Sequence, residues 1–106
     1  MATYMIQASY TGEKWKDMVA GGKCTEGRTV RPVIQKLGGT VVCGYVSFGK
    51  YDVVVIYEIS DHIGATAVSA ALASSRIFKT IETTPLIPSD QADRGIAKAK
   101  DAGYGA

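Results

Sequence analysis

The sequence is poor in the residues that usually build metal sites, disulfides and nucleic-acid interfaces. It has two cysteines and one histidine, and Cys24 and Cys43 show neither CxxC nor Cys/His spacing. We therefore expect unpaired thiols and no metal site. The 12 basic residues are scattered and the net charge is +2, which gives no electrostatic reason to expect nucleic-acid binding.

Long apolar runs are also absent. No stretch approaches the roughly 18 apolar residues that a membrane span needs, and the N-terminus lacks the basic and apolar regions of a signal peptide. We expect a cytoplasmic protein without membrane contact. The chain has 106 residues, 46% of them apolar, which excludes a disordered protein and suits one domain. That domain is predicted to cover residues 1–88, and residues 89–106 form a helical or mobile tail.

Apolar periodicity and turn residues predict four strands and three main helical segments. Thr11 and either Ser60 or Asp61 are suited to cap helices, and the Gly-Gly pairs at 21–22 and 38–39 are suited to end them. The predicted strands are 2–10, 40–48, 51–59 and 76–84, the last stopped by Pro85. The predicted helices are 12–20, 29–37 and 61–75, with Pro32 in the first turn of the second and a loop at 23–28 before it.

The resulting order is β-α-β-β-α-β, an α+β ferredoxin-like fold with a four-stranded antiparallel sheet and the first helix broken in two. The two central strands join at Gly49-Lys50, and we expect Gly49 to adopt a positive φ. The helices cover one sheet face, predicted as Tyr4, Ile6, Val42, Val46, Phe48, Val53, Val55, Tyr57 and Ile81. The opposite face is predicted as Met5, Gln7, Cys43, Tyr45, Val54, Ile56, Glu58, Thr80 and Glu82.

The second face combines apolar and polar side chains, and its exposure would be unusual for a monomer. Val54, Ile56, Met5 and Tyr45 would form an apolar patch, which is typical of an interface. We therefore expect a homodimer or larger oligomer whose sheets pack face to face. Polar groups inside such an interface need partners, and they could line a small pocket, between the sheets and a helix, that binds a small organic ligand. The predicted ligand-binding residues are Gln7, Ser9, Tyr45, Ser47, Glu58 and Thr80.

Several of these segments resemble the GYD domain family. The resemblance rests on Leu37-Gly38-Gly39, on the hairpin from Tyr45 to Val55 with its Gly49, Tyr51 and Asp52, on Asp61 before an Ala-rich helix, and on Ile81-Glu82-Thr83-Thr84. It covers residues 2–90, and the loop 21–27 departs from it. The resemblance implies a dimeric α/β barrel fold and a family without an established general activity.

The ligand-sensing domain of Lrp/AsnC regulators is similar in element order and carries a comparable hairpin. There, effectors bind between subunits, which implies a ligand site beside the hairpin. This sequence has no helix-turn-helix before the domain, so DNA binding does not follow. An RNA-binding reading of the same topology also fails, because the central strand has aliphatic residues where stacking aromatics are required.

Four residues are candidates for catalysis. Asp52 could act as a base, although an Asp in a turn commonly accepts backbone N–H bonds instead. Glu58 and Glu82 share a predicted face and could form an acid–base pair, or lie solvated at the sheet rim. His62 is predicted in the first turn of a helix, where solvent exposure is the alternative to a catalytic role.

The sequence thus leaves three functions open. The first is a cofactor-free homo-oligomer that binds a small organic ligand. The second is a cofactor-independent oxygenase or isomerase on the same scaffold, suggested by analogy with the dimeric α/β barrel superfamily. The third is a structural assembly module.

Overall fold

The chain forms one four-stranded antiparallel sheet with three helices on one face, and a fourth helix follows the last strand. The computed structural model describes residues 1–24 and 26–106, and of residues 26–28 it describes the backbone. Its elements are β1 (Ala2–Tyr10), α1 (Gly12–Gly21), α2 (Glu26–Lys36), β2 (Thr40–Val46), β3 (Val53–Ile59), α3 (His62–Ser74), β4 (Phe78–Leu86) and α4 (Ser89–Asp101). The strand order is β2-β3-β1-β4, which confirms the predicted ferredoxin-like arrangement.

The helix ends follow the predicted capping residues. The Thr11 side chain accepts a hydrogen bond from the Lys14 N–H, and the Asp61 side chain accepts one from the Gly64 N–H. Gly22 has φ 69° and ends α1, with the Lys23 N–H donating to the Met18 carbonyl over 3.2 Å. This is the Schellman arrangement, in which a left-handed residue closes the helix. Within the described ranges, no helix has the length and hydropathy that a membrane span requires.

The core lies between the sheet and helices α1 to α3. Alternate residues of the two central strands are buried, and so are one or more side chains from each of the three helices. The buried apolar residues are Ile6, Ala8, Tyr10, Met18, Val30, Ile34, Val53, Val55, Tyr57, Ile59, Ala65, Val68 and Leu72. Helix α4 contributes no buried side chain.

The other sheet face is not covered by any helix of the core, and we call it the open face. Strand register places side chains on it in transverse rows. One row runs Tyr45, Val54, Gln7, Glu82, and the next runs Cys43, Ile56, Met5, Thr84. Every residue that the sequence assigns to this face lies on it, because the side-chain period of a strand is two.

One assignment to the helix-covered face is wrong. The β2–β3 register shifts between Val41 and Cys43, so Val42 is the extra residue of a bulge and is 55% exposed. Val41 packs against the core in its place. Phe48 follows the end of β2 and stacks on Trp15 of α1, so it lies on the helix-covered side as predicted, although it is 88% exposed. A bulge interrupts strand alternation, which sequence periodicity cannot anticipate.

The hairpin and the two prolines also differ from prediction. The β2–β3 connection spans residues 47–52 rather than Gly49-Lys50 alone, and Gly49 does not have a positive φ. Pro85 lies within β4, where it is tolerated because β4 is an edge strand.

Pro32 lies well inside α2, since that helix begins at Glu26 and not at Thr29. Part of the predicted loop 23–28 is therefore helical. Thr25, which belongs to this loop and to the departure at 21–27, lies outside the described residues. At the other end, β4 begins at Phe78 because Arg76 has φ 63°, a left-handed conformation that a strand does not accommodate.

Candidate functional site

The β2–β3 connection folds back over the end of β1 and is held there by hydrogen bonds. The Ser9 hydroxyl donates to the Lys50 carbonyl over 2.7 Å, and the Asp52 N–H donates to the Ala8 carbonyl over 2.8 Å. Within the connection, the Ser47 hydroxyl donates to the Tyr51 carbonyl over 2.6 Å. These contacts give the connection a defined position at one end of the open face.

The Asp52 carboxylate fastens this connection to the start of α1. Its Oδ2 accepts the Tyr10 backbone N–H over 2.9 Å and the Trp15 indole N–H over 3.3 Å. Hydrogen bonds from two donors to a charged acceptor are among the stronger ones in proteins. The geometry assigns Asp52 a positioning task between distant segments. It gives no support to the candidate role of Asp52 as a base.

Tyr51 extends from the same connection to the edge strand β4. Its hydroxyl donates to Glu82 Oε2. The hydrogen bond with Glu82 raises the pKa of the Tyr51 phenol above its ordinary value, and desolvation and the Glu82 charge act in the same direction. The phenol therefore stays protonated through the neutral range and continues to donate to the carboxylate.

Glu82 belongs to the first transverse row of the open face. Gln7 pairs with it across β1 and β4, and Thr80 pairs with Ser9 one row nearer the hairpin. Tyr45 lies at the other end of the same row and is 68% exposed. At about 4.8 Å per strand, Tyr45 is about 14 Å from Glu82. We call Gln7, Tyr51, Thr80 and Glu82 the hairpin-end site. It offers amide and hydroxyl groups around one carboxylate.

Glu58 does not belong to this site. It pairs with Thr3, four residues along β1 from Gln7, and β1 separates its strand from that of Glu82. At about 3.3 Å per residue and 4.8 Å per strand, the two carboxylates are about 16 Å apart. That separation is too large for an acid and a base acting on the same small molecule, so the structure does not support the predicted Glu58–Glu82 pair.

Ser9 and Ser47 lie beside the hairpin-end site, but their hydroxyl protons are used within the fold. Ser9 is 3% exposed and donates to Lys50, while Ser47 donates to Tyr51. Neither is free to donate to a ligand in this arrangement. Of the six predicted ligand-binding residues, the structure brings Gln7 and Thr80 together beside Glu82 on β1 and β4.

His62 lies away from the open face. It is exposed at the first position of α3 and borders a cleft with Tyr4 and Pro85 on the helix-covered side. Asp61 caps the same helix. In residues 1–24 and 26–106, no three His, Cys, Asp or Glu side chains lie close enough to hold a metal ion.

Sequence reasoning missed Tyr51 as a site member and Trp15 as a partner of Asp52. The sequence pattern assigns Tyr51 no role in a site, because a hairpin residue carries no periodic signal. Its contact with Glu82 bridges 31 positions of the chain, and that of Trp15 with Asp52 bridges 37. Only the composition of the Tyr51-Asp52 pair, a phenol beside a carboxylate, could have suggested these roles.

These features define a class of protein by its fold, a ferredoxin-like α+β domain with one four-stranded antiparallel sheet. Three solved structures are similar to this chain. The first is FFRP-DM1, with 20% identity and a TM-score of 0.52; the match covers 82% of this chain and 100% of that one. The second is the hypothetical protein PHS023 from Pyrococcus horikoshii, with 20% identity and a TM-score of 0.51, covering 83% of this chain and 92% of that one. The third is an uncharacterized NIPSNAP domain protein from Burkholderia xenovorans, with 15% identity and a TM-score of 0.52, covering 83% of this chain and 94% of that one. At these identities, the likeness establishes the fold.

The sequence model of the GYD domain matches residues 4–96. The chain belongs to the GYD domain family, as the hairpin residues indicate. No curated protein matches it.

Proposed function

We propose that this GYD protein is a homo-oligomer that packs its sheets open face to open face and binds a small organic molecule at the hairpin-end site. The observation that carries the proposal is the row Tyr45, Val54, Gln7, Glu82, which places polar groups beside apolar ones on an uncovered sheet. Because Glu82 is the charged member, the ligand is expected to present an amine or hydroxyl donor.

The apolar part of the open face supports the assembly. Met5, Val54 and Ile56 are only half-buried although they lie at the centre of the sheet. An apolar sheet surface of this kind is favoured at an interface, because its burial removes it from water. A second copy offers the same surface and would cover it.

The polar part of the open face supports a ligand. Each polar group left without a partner in a closed interface costs about 1–3 kcal/mol. Gln7 and Glu82 face each other across adjacent strands, and a bound molecule with a donor group would satisfy the remaining Glu82 oxygen. A purely structural module would be better served by aliphatic side chains at these positions.

The enzymatic alternative has less support. Asp52 is engaged by two donors, and the register separates Glu58 from Glu82 by about 16 Å. Tyr51 and Glu82 form a phenol–carboxylate couple, but no second base accompanies them at the hairpin-end site. The cytoplasmic location stays a prediction from the sequence.

The assembly is tested by Val54→Lys, which places a charge at the centre of the open face. Burying an unpaired ammonium in an apolar interface is strongly unfavourable. We therefore expect light scattering to show an oligomer for the wild type and an 11.2 kDa species for the variant. The control is Ile63→Lys, at an exposed position of α3, which should keep the wild-type mass. A monomeric wild type would contradict the assembly.

Ligand binding is tested by a thermal-shift screen of small amines and alcohols. A hit should stabilise the wild type, and the shift should be lost in Glu82→Gln. The matched control is Glu13→Gln, on the exposed first turn of α1. If the hits stabilise wild type and Glu82→Gln equally, the ligand binds elsewhere, and this result would contradict ligand binding at the hairpin-end site.

A further inference from the structure

A second candidate site lies on the opposite side of the sheet from the hairpin-end site. Between α1 and the end of β2, a cleft of about 260 Å³ is bordered by Trp15, Met18, Val46 and Phe48. We call it the α1 cleft. Its volume is near the lower end of the roughly 300–1,000 Å³ typical of small-molecule sites. It therefore suits a molecule of one or two rings.

The two aromatic walls of the α1 cleft differ in how they are held. The Trp15 indole is fixed by its N–H bond to Asp52 and by an edge contact with Tyr10, with ring centroids 5.7 Å apart. Phe48 faces it with ring centroids 6.5 Å apart and an angle of 25°, and is 88% exposed. One wall is preorganised and the other presents a large apolar surface to solvent. Such a pair favours an aromatic ligand, because aromatic rings stack and also contact methionine sulfur well.

Among the described residues that border the α1 cleft, Lys23 is the only charged one. The nearby Asp52 carboxylate is engaged by the Tyr10 N–H and the Trp15 indole N–H. Its main chain is fixed by the Schellman closure of α1, in which the Lys23 N–H donates to Met18. An ammonium group at the rim of an apolar cleft attracts an anionic group on a ligand whose ring occupies the cleft.

We propose that the α1 cleft binds a small aromatic carboxylate, with the ring against Trp15 and Phe48 and the carboxylate at Lys23. The GYD hairpin supplies both the Asp52 carboxylate that orients Trp15 and the Phe48 ring that faces it. The hairpin therefore builds a site on the helix-covered side as well as closing the end of the open face. This inference does not depend on the proposed function.

The probe for this site is 2-naphthoate, and its neutral analogue is 2-naphthamide. Trp15 is the only tryptophan, so its indole N–H gives a single, assignable NMR signal beside the cleft. We expect 2-naphthoate to shift this signal saturably, and Phe48→Ala to weaken binding at least fivefold. Ile63→Ala removes an apolar side chain exposed elsewhere and should leave binding unchanged.

The charge is tested with Lys23→Gln. This variant should weaken 2-naphthoate binding at least threefold and leave 2-naphthamide unaffected, while Lys36→Gln, at the end of α2, should change neither. Circular dichroism confirms that each variant is folded. Binding of 2-naphthoate should persist in Val54→Lys, which would show that the α1 cleft binds independently of the open face.

Two results would overturn the proposal. One is an indole signal that does not move with 2-naphthoate or moves equally in Phe48→Ala. The other is a wild-type oligomer that Phe48→Ala dissociates while no naphthoate binds, which would make the cleft a contact between protein chains.

Discussion

Asp52 links the β2–β3 connection to strand β1 and to helix α1. Its carboxylate accepts hydrogen bonds from Tyr10 and Trp15, and its own N–H donates to Ala8. Tyr10 is 1% exposed, so its amide cannot easily recover the bond from water. The signature acid of the GYD hairpin therefore acts in the fold of this chain as a connector.

Asp52→Ala should lower the free energy of unfolding by about 2–3 kcal/mol, because it removes a charged acceptor from a buried amide. Urea denaturation followed by Trp15 fluorescence measures this loss. Asp52→Asn keeps one acceptor oxygen and should lose less. Asp93→Ala, on the exposed surface of α4, serves as the control, and equal losses in Asp52→Ala and Asp93→Ala would refute the connector role.

Gly22 and Gly49 both precede a lysine, but they differ in the backbone conformation that they adopt. Gly22 has φ 69°, whereas Gly49 lies outside the left-handed region, and a Cβ at either position would meet nothing within 4 Å. Gly22→Ala should therefore cost about 1–2 kcal/mol of stability, while Gly49→Ala should be neutral or stabilising by up to about 1 kcal/mol. Thermal denaturation of the two variants checks this order, and a larger loss at Gly49 would reverse it.

Tyr57 carries a buried polar atom that the fold does not use. Its hydroxyl has no hydrogen-bond partner among the described residues, and its ring stacks on Tyr4 with centroids 5.7 Å apart. Because an unsatisfied buried hydroxyl costs about 1–3 kcal/mol, Tyr57→Phe should leave stability unchanged or raise it. Equilibrium unfolding at neutral pH measures the difference.

Tyr57 should also make the stability of the protein depend on pH. Burial, with a smaller contribution from Tyr4, raises the Tyr57 pKa from 10.0 to about 12. As the pH rises, the Tyr57 phenol therefore ionises in the unfolded chain before it ionises in the folded one. The stability that the protonated phenol contributes is complete below pH 10.0 and is lost as the pH rises to about 12. Wild type should lose more stability over this range than Tyr57→Phe, and parallel pH profiles would contradict the shift.

At the scale of elements, α4 differs from the other helices. It runs over Ser89–Asp101 without a buried side chain, and Ile96 is 69% exposed. An isolated helix of this length is marginally stable in water. Within the described residues, α4 is therefore held by its own backbone hydrogen bonds and not by burial of a side chain.

Deletion of residues 89–106 should leave the free energy of unfolding within about 0.5 kcal/mol of wild type, the range expected for exposed surface changes. Chemical denaturation checks this under conditions where the protein is monomeric, for which Val54→Lys provides the background. A matched control is deletion of 103–106 alone. A large loss on removing α4 would show that the helix packs on the domain.

The strands show how edges tolerate irregularity. β2 and β4 are the edge strands, and they contain the bulge at Val42 and the proline at Pro85. The central strands β1 and β3 pair with each other in continuous register from Ala2 to Ala8. Irregular residues are accepted at the edges because an edge strand has one free side for its backbone groups.

At the scale of the whole molecule, the chain is not compact. Its radius of gyration is 16.7 Å, whereas a compact domain of about 100 residues has one of about 13 Å. The longest dimension is 58 Å against 29 and 21 Å for the others. An uncovered sheet face and an unburied helix both fit a subunit that is completed by association, which is the assembly proposed above.

The sequence by itself determined the element order, the capping residues and the faces of the central strands. Thr11, Asp61 and the two Gly-Gly pairs act locally, and strand alternation places Gln7, Val54 and Glu82 on the open face because the side-chain period is two.

Only the tertiary structure decided which of these residues meet. The contacts of Asp52 with Trp15 and of Tyr51 with Glu82 link distant segments, and the register separates Glu58 from Glu82. Bulges such as that at Val42 depend on the neighbouring strand. Local sequence patterns set the direction of a side chain, but strand order and register set its partners.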